Sequence, residues 1–226
     1  MTRNWKRLLL IGVAVAVVLV VGGPFVYIHF FQDKAPAPLS VSASPQAATG
    51  AAVPADGTWK AAAGSQAGYR VKEVLFGQNT EAVGRTNGVT GDLTIAGTKA
   101  TKGSFTVDLT TVKSDKDRRD QQFQGRIMET AKYPKATFAL TEPIDLGSVP
   151  TVGAKITAKA TGNLTLKAET RKVTFDVTAS RTAPGAFDVS GSIPVKFADW
   201  KIANPSFGPI QTQDNGQVEF LLKFTK

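Results

Sequence analysis

Covalent and acid–base chemistry need a nucleophile, a base or a ligand set, and this chain supplies few of them. It has no cysteine and one histidine, His29. Without Cys there is no disulfide frame, no Cys-ligated zinc, no thiol nucleophile and no lipoprotein anchor. His29 sits in an apolar run, so the rest of the chain has no His base and no His-based metal site. The one acidic cluster is Asp115, Asp117 and Asp120. Such carboxylates can do acid–base work or hold a cation. A calcium loop starting at Asp115, however, would need Gly at position 6 and Glu at position 12, where Asp120 and Arg126 stand. There is no Gly-x-Ser-x-Gly elbow, and no Ser is followed three residues later by Lys. The sequence reads as a non-enzyme with no catalytic residues, no metal and no cofactor.

The charge balance, 27 basic against 18 acidic residues for a net +9, is spread along the chain with no run of five like charges. That is a solvated basic surface without a nucleic-acid footprint. Residues 1–7 form a basic N-terminus with Arg3, Lys6 and Arg7. Residues 8–31 carry no formally charged side chain, and as a helix they would be about 36 Å long, enough to cross a bilayer core. The positive flank predicts a single-pass signal-anchor helix with the N-terminus in the cytoplasm and the remainder outside. The alternative is a signal peptide cleaved near Val41-Ser42-Ala43, giving a secreted protein. Residues 32–55 hold eight Ala, four Pro and three Ser, which predicts a disordered linker.

Residues 56–226 alternate apolar and polar residues with a period of two. Phe105, Val107 and Leu109 alternate with Ser104, Thr106 and Asp108; Val173, Phe175 and Val177 alternate with Lys172, Thr174 and Asp176. The same pattern returns at 69–71, 89–95, 137–140, 163–167, 187–196 and 218–225. Thr, Val and Phe dominate, as on a pleated surface buried on one side, and one-sided burial argues for antiparallel sheet. About eight such strands predict an all-β barrel or sandwich. One segment, 115–131, departs from the pattern: Phe123 and Ile127 are four apart, so one or two short helices are expected there, with Asp115 or Asp117 capping the start.

These pieces occur in a telling order: Trp59, Gly91-x-Leu93-Thr94-Ile95, Phe105-x-Val107-x-Leu109, Arg119-Asp120-x-x-Phe123, Lys132-Tyr133-Pro134-x-x-x-Phe138, Gly162-x-Leu164-Thr165-Leu166, Thr170-Arg171-Lys172-Val173 and Gly216-x-Val218-x-Phe220. The series resembles the YceI-like, polyisoprenoid-binding family across nearly all of 56–226. The resemblance implies an antiparallel, eight-stranded, lipocalin-like barrel that holds an isoprenoid or other long-chain lipid, in a bacterial extracytoplasmic protein. Two places depart from it. The first strand, 67–74, lacks the family's His, and Lys167-Ala168-Glu169-Thr170 stands where a turn glycine is usual.

The expected apolar interior comprises Tyr69, Val71, Phe105, Val107, Leu109, Phe138, Leu140, Leu164, Phe175, Phe187, Val189, Phe220 and Leu222, with Phe123 and Met128 as a lid. Arg70, Lys72 and Arg119 are candidates to meet a polar head, although Arg119 beside Asp120 also reads as a local ion pair. An eight-stranded barrel can be filled by its own side chains or can hold one ligand. Two functions follow: a carrier of a hydrophobic chain, or a filled barrel serving as a structural or protein-interaction module of the cell envelope.

Overall fold

The computed structural model describes residues 3–23, 35–42, 54–75, 77–208 and 210–226. Near the N-terminus a helix, α1 (Arg3–Val17), continues into a π turn (Val18–Gly22). No helix among the described residues is long and apolar enough to cross a membrane. The far part of the expected span, 24–31, lies outside the described residues.

The alternating segments form thirteen strands among the described residues. They are β1 (Gly57–Ala61), β2 (Gln66–Leu75), β3 (Gln78–Thr86), β4 (Val89–Ala96), β5 (Lys99–Asp108), β6 (Lys113–Ser114), β7 (Lys135–Leu140), β8 (Ile144–Asp145), β9 (Lys155–Leu166), β10 (Glu169–Ala183), β11 (Ala186–Lys196), β12 (Ile210–Thr212) and β13 (Asn215–Thr225). Eight of them close a ring in the order β1-β4-β5-β7-β9-β10-β11-β13, every neighbour antiparallel, and Lys60↔Thr225 and Ala61↔Phe224 complete it. The first half of β13 reaches past β1 and pairs instead with β2, from Gln217↔Arg70 to Leu221↔Gln66. The β2–β3 hairpin thereby lengthens one side of the wall, with β6 and β12 at its margins.

Period-2 alternation decides which way each side chain faces. On β10, Phe175 and Val177 are buried while Thr174 and Asp176 are exposed. The outer face is tied by cross-strand threonine pairs, Thr165–Thr170 at 2.8 Å and Thr161–Thr174 at 3.0 Å. The tight β9–β10 turn places Lys167 at φ 54°, a left-handed conformation taken by a side chain where glycine would be strain-free. Inside, aromatic rings pair edge to face: Trp59 with Phe187 at 4.7 Å, Phe138 with Phe175 at 5.4 Å and Phe175 with Phe220 at 5.9 Å. Glycine makes room for two of the largest rings. A Cβ at Gly191 would lie 2.6 Å from the Phe220 ring, and one at Gly84 would lie 2.4 Å from the Tyr69 ring.

Two expectations change here. Residues 35–42, expected to be disordered, lie along the outer wall. Val41 is buried, its N–H donates to Ser190 Oγ and its carbonyl accepts from Lys155 Nζ. The carbonyls of Pro36 and Ala37 accept from Arg70 and Arg85. Spare polar groups on the sheet's outer face hold a segment whose own composition offers little to bury. Over 115–131 the one or two short helices expected are present, as a short α-helix, α2 (Asp117–Gln122), running into a π turn (Phe123–Ile127), but the expected capping is not. Its N-cap is Lys116, without a side-chain cap, so neither Asp115 nor Asp117 has that role.

Candidate ligand-binding site

The barrel encloses two cavities in series. The inner one, about 140 Å³, runs between the strands toward the 144–156 loop. Thr137 is the one residue of its lining with a polar side chain. The outer one, about 530 Å³, opens beneath α2 and is walled by β2, the start of β13 and the 202–212 segment. Ala67, Val107, Ala136, Leu166 and Val218 line both, so they mark the neck of one tunnel.

Phe105, Phe138, Leu140, Leu164, Phe175, Phe187, Val189, Phe220 and Leu222 line the inner cavity. Tyr69, Val71, Leu109, Phe123 and Met128 line the outer one, and Val107 lines both. Parity makes those on strands legible, and the same parity adds Leu166, Val177 and Val218. Other lining groups carry no such signal. Phe207 and Pro205 come from an irregular segment, and Glu73 is a carboxylate on an apolar face.

Arg70 and Lys72 are not at the tunnel. The odd-numbered residues of β2 face inward and the even-numbered ones outward, so both lie on the outer face. Lys72 is exposed. Arg70 is buried on that face, its Nε 3.2 Å from Glu219 Oε2 and its Nη1 2.5 Å from Glu81. Arg85 joins the same Glu219 at 2.7 Å. This cluster lies under the 35–42 strap.

Arg119 does line the outer cavity, but as half of an ion pair with a partner other than Asp120. It reaches Glu73 Oε1 at 3.3 Å and is also bonded to Asp115. Asp120 is buried and accepts from Ser114 N at 2.8 Å and Ser114 Oγ at 2.7 Å, bracing the turn before α2. Asp115 and Asp120 are thus spent on local structure. Among the described residues no group of His, Asp and Glu could hold a metal ion. Lys116, Arg118 and Gln122 also line the opening, with no carboxylate partner among the described residues.

Tyr69 stacks on Phe123 at 5.0 Å and 17°. Burial pushes its phenol well above the ordinary 10, against the pull of the nearby Arg119 guanidinium, so the hydroxyl stays neutral at every physiological pH. The segment after α2 is pinned where three left-handed residues meet. Lys167 Nζ bonds Glu129 and the Lys201 carbonyl, and Lys201 Nζ lies 2.5 Å from Glu169. Glu129, Lys167 and Lys201 all have φ between 51° and 54°. Backbone strain of this kind persists only where surrounding contacts over-determine it, and here they hold α2 and its π turn over the opening.

The YceI-like domain profile matches residues 59–224. The chain belongs to the YceI-like family. Its fold is shared with the polyisoprenoid binding domain from Saccharophagus degradans implicated in plant cell wall breakdown, at TM-score 0.61, 18% identity, and coverage of 74% of this chain and 97% of that one. It is also similar to Burkholderia cenocepacia BcnA, at TM-score 0.52, 22% identity, and coverage of 69% and 95%. No curated protein matches the sequence. The left-handed Lys167 shows how this YceI-like chain makes its β9–β10 turn without the glycine usual there. On β2, Glu73 is bonded to Thr80 and Arg119.

Proposed function

We propose that this YceI-like protein is a non-enzymatic carrier. It binds a long-chain hydrophobic ligand, a polyisoprenoid or similar amphiphilic lipid, in the barrel interior and outside the cytoplasmic membrane. Residues 8–31 are its membrane tether. The observation that carries this reading is the inner cavity, hollow and lined with apolar side chains apart from Thr137. Such a space offers a guest little besides burial, and burial favours a chain by about 0.8 kcal/mol per methylene. The polyisoprenoid-binding fold neighbour supports the choice of an isoprenoid chain.

Native mass spectrometry of the full chain, before and after organic extraction, tests it. The expected result is a stoichiometric adduct of lipid mass that extraction removes. A clean protein mass, with no uptake of prenyl or fatty chains afterwards, would overturn the reading in favour of an envelope interaction module. Ala136 at the neck gives a sharper version. Ala136→Phe should block passage into the inner cavity, so affinity falls by about fourfold for each methylene excluded. Chains short enough for the outer cavity alone should bind as before.

A further inference from the structure

Phe207 is the one large apolar side chain outside the N-terminal helical segment 3–23 that is more than half exposed among the described residues, at 51%. It stands at the opening of the outer cavity, and Arg118 lies over its ring at 5.3 Å. Arg126 holds its loop by donating to the carbonyls of Asn204 and Pro205, both at 3.3 Å. Lys116, Arg118 and Arg126 have no carboxylate partner among the described residues. Of the acids at this opening, Glu73 and Asp115 are taken by Arg119, which leaves Asp117. The rim therefore combines an exposed aromatic ring with surplus positive charge, the chemistry of a surface that settles into the headgroup region of an anionic bilayer.

A separate observation gives the same direction. The strap meets Arg70 and Arg85 through residues 36 and 37, level with 217–219 of β13. It meets Ser190 through residue 41, level with Leu221 and farther from the opening. The chain thus arrives from the open end and runs away from it. Twelve peptide units join Gly23 at the end of the helical segment to Ala35 at the start of the strap, a reach of about 40 Å at full extension.

We propose that the open end of the barrel docks on the anionic bilayer in which the N-terminal segment is anchored, with Phe207 entering the interface and Lys116 and Arg118 facing the lipid phosphates. This rests on the carrier reading and gives the route by which a chain would enter: directly from the bilayer into the tunnel.

The chain has no cysteine, so a fluorophore can be placed at one site. Full-length protein carrying Phe207→Cys, labelled with a polarity-sensitive dye, is mixed with vesicles of phosphatidylcholine alone or with phosphatidylglycerol. Thr98→Cys, exposed on the β4–β5 turn at the opposite end, is the control. The expected result is a blue shift and several-fold brightening at 207 on phosphatidylglycerol vesicles, with none at 98. The response should fade with salt and with the Lys116→Gln/Arg118→Gln pair. A 207 label that stays water-like on vesicles carrying the protein overturns the proposal, as does protein that does not float with vesicles, or equal responses at both sites. Native mass spectrometry of the same samples separates the two readings. A lipid-loaded barrel with a water-like 207 label overturns docking alone; an inserted label on a barrel that never takes up lipid overturns the carrier reading alone.

Discussion

Two groups of cations sit near the tunnel, and they differ in everything except charge. On the outer wall, Arg70 and Arg85 share the carboxylate of Glu219, which is 3% exposed, beneath the 35–42 strap. At the opening, Lys116 and Arg118 are exposed and point no charge at a carboxylate. A buried cation has to be paired because an unpaired one carries the full cost of leaving water, whereas an exposed one has no such cost. The wall cluster is therefore architecture, and the rim cluster is available to something outside the protein.

Breaking the wall should have the largest effect. Glu219→Gln removes the counter-charge that Arg70 and Arg85 share, leaving Arg70 with Glu81 alone and Arg85 with no carboxylate, and urea unfolding should show a loss of about 3 kcal/mol. A loss below 1 kcal/mol would mean that water reaches the cluster and that the contrast with the rim is false. Lifting the strap comes next. Val41→Ser should cost about 1–2 kcal/mol, since burying a valine contributes roughly 1.5–3 kcal/mol. Hydrogen exchange should show the Val41 amide and the wall around Ser190 opening together.

A smaller effect is expected at Asp188, on the outer face of β11 opposite Lys223. Partial burial raises its carboxyl above the ordinary 3.8, with Lys223 pulling the other way. A carboxyl raised in the folded state favours folding while protonated, and that contribution disappears as pH rises through the folded value. Asp188→Asn should therefore stabilise the protein at neutral pH by a few tenths of a kcal/mol, screening having reduced the gain, and should leave stability at pH 3 unchanged. A gain that persists at low pH would assign the effect to something other than ionisation. Smallest of all, Arg118→Gln should leave the unfolding free energy within about 0.5 kcal/mol of the parent, because its charge meets only the exposed Phe207 ring. A larger loss would make the rim structural too.

Much of this was readable before any coordinates. The lining residues chosen by alternation all face the tunnel, because in a strand the direction of a side chain is set by its neighbours one and two residues away. Alternation separates only two of the three candidate cations. Arg70, Lys72 and Arg119 look alike as candidates for a polar head, yet parity turns Arg70 and Lys72 outward, and Arg119 is held by a glutamate 46 residues away. The composition of the strap predicts a free linker because it has little to bury; nothing local announces that Ser190, 149 residues from Val41, will accept its amide. Phe207 and Pro205 lie in a segment without periodicity, so no pattern marked them as rim.

What the sequence determined by itself is the local part: the absence of thiol and imidazole chemistry from the barrel, the alternation that makes an antiparallel wall, and the choice of which side chains face inward. Only the tertiary structure decided that the interior is hollow, that the tunnel opens beneath α2, and which charges are neutralised and which are left at the opening. Those depend on pairings between residues far apart in sequence, such as Lys60 and Thr225, and such pairings exist only once the ring of strands has closed.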